Sequence, residues 1–174
     1  MKKKLMVNLT WGPRNKNAEF RVDAADLENA LRILVGRDEW GLFKGNIQYK
    51  WKADANKNVT SVNLMPTYTI TMPRWTGYTR QPQECKDAWD IMWRALYEHE
   101  DGHRKIFELG TMNLVSGLEE IESQTSVNVD NFLKRKIQDM QNEQDQFDRE
   151  TDHGRSRGVE LTVTDHCRKK EPDR

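Results

Sequence analysis

The stretch YEHEDGHRKIFE, residues 97–108, carries His99, Glu100 and His103 in the order HExxH. Four residues of α-helix advance about 400°, so the two imidazoles are expected about 40° apart on one face and one turn apart along the axis. Both rings then reach a single metal ion at roughly 2.0–2.1 Å. Glu100 sits beside that face, where its carboxylate can take a proton from an activated water instead of binding the metal. The chemistry implied is metal-assisted hydrolysis, with zinc the expected ion.

Such a site needs at least one further protein ligand. The candidates are Glu108, the group Glu119, Glu120 and Glu122, His153, and His166. The extended form HExxHxxGxxH is absent, because Ile106 and Leu109 stand where Gly and His would be required. The three later glutamates continue the same helix, some 25 Å away at about 1.5 Å per residue. His153 is better placed if the following helix packs antiparallel and returns its C-terminal end toward the HExxH pair. A solvated helix-end histidine, favourable to the dipole when charged, explains His153 equally well. His166, in Asp165-His166-Cys167, is the runner-up.

The elements that must position these residues follow from periodicity. Leu27, Ala30, Leu31 and Leu34 form one face of a helix over 24–35, with Asp23 or Asp26 as N-cap and Gly36 past its end. GNIQYKWKA (45–53) and VTSVNLMPTYTITM (59–72) alternate apolar and polar residues as paired strands, and Pro66 places the second at an edge or bulge. A long helix is expected from about Pro82 into the region of Glu122, with His99 and His103 on its apolar stripe. Val129, Phe132, Leu133, Ile137, Met140 and Phe147 trace another helix over about 128–153. The segment VELTVT then reads as a possible strand, followed from about 165 by a charged tail expected to be mobile.

The chain of 174 residues suits a single domain, residues 1–174. Its 28 basic and 28 acidic residues cancel, which gives no overall field for a nucleic-acid partner. No uncharged apolar run approaches the roughly 18–20 residues of an integral membrane segment. Only Leu5-Met6-Val7 follows the basic start, so no signal peptide is visible. Cys85 and Cys167 can pair in an oxidising compartment or stay reduced in the cytosol.

GNIQYKWKA, the strand running into YTITMPRW, Trp89 ahead of LYEHEDGH, and FDRETDHG together resemble domain-of-unknown-function family 922, a bacterial family classed as secreted zinc-dependent proteases of the HExxH type. The resemblance covers most of residues 20–155 and is carried chiefly by HEDGH and TDHG. It implies zinc held by His99 and His103, Glu100 as catalytic acid and base, and His153 of TDHG as third ligand. Relatives are typically exported, whereas MKKKLMVNLTWG has no apolar core of a leader. A full-length chain is therefore expected in the cytoplasm, and a mature form outside it.

The resulting expectation is an α+β, zincin-like domain in which a small antiparallel sheet packs on the HExxH helix and a second long C-terminal helix closes the site. A zinc metallopeptidase acting on a polypeptide substrate is the leading function, with an extended peptide laid along residues 67–72. The alternative is a non-catalytic, zinc-stabilised binding or interaction domain, in which Glu100 would have no task. Oligomeric state is not indicated.

Overall fold

Asp26 starts the first helix, α1 (Leu27–Val35): its backbone is extended and its side chain accepts from the Asn29 N–H at 2.8 Å. That bond satisfies one of the donors that every helix start leaves without a partner. Glu28 in the first turn and Arg32 in the last complement the helix dipole, while Leu27, Ala30 and Leu34 form the buried stripe.

The computed structural model describes residues 5–121 and 124–168. Strands β1 (Met6–Leu9) and β2 (Arg14–Val22) precede α1. Strands β3 (Leu42–Ala53) and β4 (Val59–Trp75) follow it, then helices α2 (Gln83–Glu119) and α3 (Ser126–Thr151). Among the described residues the fold is therefore α+β, with three α-helices and one four-stranded sheet. Glu122, expected near the end of the long helix, lies outside the described residues.

β4 pairs with β1, β2 and β3. β1 runs parallel to it, from Met6 opposite Ser61 to Leu9 opposite Leu64, which corrects the expectation of an antiparallel sheet. A tight turn would have forced antiparallel pairing, but the long chain between β1 and β4 lets the strand return in the same direction. The edge position expected for β4 is corrected too. Pro66 lacks a donor, yet its carbonyl accepts from the Gly12 N–H at 2.9 Å, and the Tyr68 N–H donates to Pro13 at 3.1 Å. The strand is thus paired on both sides of its proline.

The chain divides into two compact units. The first draws on Met1–Asn15, Lys44–Thr69 and Gly102–Phe147. Its core is Leu5, Val59, Val62, Leu64, Leu114, Leu118, Val129 and Leu133. Here α2 and α3 run antiparallel at close range. A Cβ at Gly102 would come within 2.5 Å of the Phe147 ring, one at Gly110 within 2.8 Å of Met140, and one at Gly117 within 2.6 Å of Phe132. The three glycines are two turns apart in succession, so each gives one large α3 side chain its seat.

The second unit comprises Lys16–Phe43, Ile70–Asp101 and Asp148–Arg174. Val22, the α1 stripe, Ile70, Met72, Trp75, Trp89, Met92 and Leu96 form its core. Val159 and Leu161 join that core without forming the strand expected of VELTVT. Cys167, in a short 3-10 turn (Asp165–Cys167) where a tail was expected, is disulfide-bonded to Cys85, 82 positions earlier. Residues 169–174 of that tail lie outside the described residues.

Candidate metal centre

Helix α2 holds His99, Glu100 and His103 in one buried turn, with exposures of 4%, 5% and 8%. Helix α3 offers Gln144, Asp148 and Thr151, spaced i, i+4 and i+7 and therefore on one face.

Within the second unit, His99 Nε2 lies 3.2 Å from Asp148 Oδ1. Its other ring nitrogen, Nδ1, is 3.5 Å from Thr151 Oγ1. Gly154, at φ 86°, passes close against the same imidazole: a Cβ there would meet the ring at 3.1 Å and Val159 at 2.6 Å. The left-handed backbone and the close approach both require glycine. Thr151 also accepts from the Gly154 N–H at 3.3 Å. Two residues of TDHG, Thr151 and Gly154, thus contact His99.

Within the first unit, Gln144 Oε1 is 2.5 Å from His103 Nδ1, and Gln144 Nε2 donates to the His103 carbonyl at 2.9 Å. Phe147 packs edge-on to the His103 ring, centroids 4.9 Å apart. His99, His103 and Asp148 make up the candidate ligand group: the two histidines are one turn apart on α2, and Asp148 stands against His99.

Glu100 follows His99 but is not part of that group. Burial pushes its carboxyl up to about 8, the nearby charges of Glu39 and Asp148 push in the same direction, and a hydrogen bond from the Phe43 backbone opposes them. Gly41 leaves room for this carboxylate, since a Cβ there would meet Oε1 at 2.9 Å. A cleft beside it is lined by Phe20, Arg37, Glu39, Gly41, Leu42 and Thr71.

The remaining sequence candidates stand elsewhere. His153 is 74% exposed, with Nδ1 3.8 Å from Asp148 Oδ1, and is not in the three-residue group. Helix α3 stops at Thr151, and Asp152 and His153 take left-handed backbones at φ 47° and 51°. His166 is 82% exposed with Nδ1 4.0 Å from Glu84 Oε2. Glu108 accepts from Arg104. Glu119 ends α2, about 24 Å along the axis from His103.

Sequence reasoning missed Asp148 and Gln144. A signal for them existed. The α3 stripe of Leu133, Ile137 and Met140 continues at helical spacing into Gln144, Asp148 and Thr151, so its apolar face turns polar toward the end. Gln144 and Thr151 are buried in spite of being polar, and buried polar groups need partners.

Neither the curated proteins nor the solved structures compared with the chain include a match. A family model does match, over residues 20–154, a span that takes in α1, α2, α3 and both ends of the candidate centre. The chain belongs to this family, described as bacterial protein of unknown function (DUF922).

Proposed function

We propose that the protein is a zinc-dependent peptidase of the zincin kind, with His99, His103 and Asp148 as metal ligands and Glu100 as general base and acid. The observation that carries this reading is Glu100: a buried carboxylate next to the ligand group, outside it, and held near neutrality in its titration.

The donor set suits the ion. Two imidazoles and one carboxylate are the ligands of several catalytic zinc sites, and tetrahedral ligands at roughly 2.1 Å sit about 3.4 Å apart. The 3.2 Å between His99 Nε2 and Asp148 Oδ1 agrees with that spacing. Fe(II) accepts the same donors. Glu100 favours hydrolysis over that alternative, and it also argues against a purely structural site, which has no use for a buried carboxylate that binds no metal.

Zinc, when bound, supplies Lewis acidity that polarises a carbonyl and eases the deprotonation of water. His99 and His103 contribute neutral nitrogen lone pairs, and Asp148 contributes negative charge. Glu100 takes the proton of the attacking water and returns it to the leaving amine. A polypeptide is the substrate class. Residues 67–72 are not its docking edge, because β4 is already paired. His153 stands beside Asp148 as a competing third ligand.

The test combines metal content with turnover. Protein purified without chelator should hold one equivalent of zinc and cleave unfolded casein, and Glu100→Gln should keep the zinc and lose the cleavage. Protein reconstituted with zinc that cleaves nothing would leave the non-catalytic binding domain standing.

A further inference from the structure

Gln144 is buried in the middle of a helix, where a glutamine side chain must satisfy both ends of its amide or lose stability. Both of its ends go to one residue. Nε2 donates to the backbone carbonyl of His103 at 2.9 Å, and Oε1 meets His103 Nδ1 at 2.5 Å. Only one amide orientation makes both contacts. Turned over, the amide would set its oxygen against the His103 carbonyl and its NH2 against the ring nitrogen, losing the first bond to repulsion between acceptors. With the oxygen facing Nδ1, that nitrogen must carry the proton. The lone pair is then on Nε2.

From this geometry we propose that Gln144 is a positioning residue: it holds His103 as the Nδ1–H tautomer, with ring plane and Nε2 lone pair prepared for a divalent cation. The inference rests on the metal-site reading above. Phe147, three residues on along the same helix, packs edge-on against the ring and limits its rotation from another side. Gln144 therefore stabilises the tautomer and Phe147 the orientation. The amide is neutral, so it sets the proton's place without adding charge to a site that already contains Asp148. A metal-binding histidine commonly donates its second ring N–H to such a partner, and removing that partner typically weakens metal binding about 10- to 100-fold.

The tautomer is measured without metal, by long-range proton–nitrogen NMR on 15N-histidine-labelled full chain in EDTA at a pH where His103 is neutral. The expected result is a protonated Nδ1 and an unprotonated Nε2 at His103 in the wild type. A mixture of both forms is expected in Gln144→Leu. Zinc titration of the same proteins should give a Kd about 10- to 100-fold higher for Gln144→Leu than for the wild type. A wild-type His103 protonated on Nε2 overturns the proposal, and that measurement does not depend on any variant folding. An unchanged tautomer and unchanged zinc Kd in Gln144→Leu also overturn it. A wild type that shows the Nδ1–H form, lost in Gln144→Leu, yet binds no zinc upholds the role of Gln144 and refutes the metal-site reading instead.

Discussion

His99 Nε2 and Asp148 Oδ1 stand 3.2 Å apart, one on α2 and the other near the end of α3. Two groups at that distance can share a proton or share a cation. The carboxylate is 28% exposed and the imidazole 4%, so an ion held between them would be shielded on the histidine side and reachable on the other.

If Asp148 is the third ligand, Asp148→Ala should weaken zinc binding by more than about 100-fold, beyond the range typical of supporting residues. His153→Ala should change it by less than about threefold. Isothermal titration of the two variants ranks them directly, and the reverse order would assign the ligand role to His153.

Loss of the proton carrier should act on turnover alone. In Glu100→Gln, kcat is expected to fall about 10²- to 10⁴-fold with KM and zinc content nearly unchanged. Stopped casein digests, analysed beside metal content by atomic emission, check both halves.

The raised carboxyl of Glu100 also makes a statement about stability in the metal-free protein. Its ordinary value is 4.5 and its folded value about 8, so between these the folded state binds more protons than the unfolded one. Stability from this group is complete below about pH 4.5 and is lost as pH rises toward 8. Glu100→Gln should therefore leave stability at pH 5 nearly unchanged and increase it at pH 9, by up to about 5 kcal/mol. Urea unfolding in EDTA at the two pH values gives the difference; equal effects at both would refute it.

The glycine seats of α2 should resist filling. Alanine is the better helix former by about 1 kcal/mol, but a Cβ at Gly102 would meet the Phe147 ring at 2.5 Å. Gly102→Ala is expected to destabilise the protein by about 1–3 kcal/mol through overpacking. Pairing it with Phe147→Leu should recover part of that loss in a double-mutant cycle.

Legibility in the sequence followed the strength of each local pattern. Helix α1 showed its cap, stripe and stop, and HExxH placed His99, Glu100 and His103 on one turn because helical spacing needs no tertiary information. β2 was invisible: RNKN at its start has no apolar alternation, and those residues are exposed. Strand direction was equally hidden, since nothing in MVNL states which way its distant partner runs. The choice between Asp148 and His153 depended on where α3 stops. The chain continues past Thr151 through left-handed residues that no helical period anticipates.

The bond between Cys85 and Cys167 makes a covalent ring of the stretch that includes all of α3, all but the first two residues of α2, and every candidate ligand. One hydrolysed peptide bond anywhere between residues 86 and 166 opens that ring without releasing a fragment. A nicked molecule would therefore migrate as a single species on a denaturing gel until a thiol reductant is added, and only then as two. For a protein proposed to hydrolyse peptide bonds, self-inflicted cuts in this region would stay concealed in non-reducing conditions.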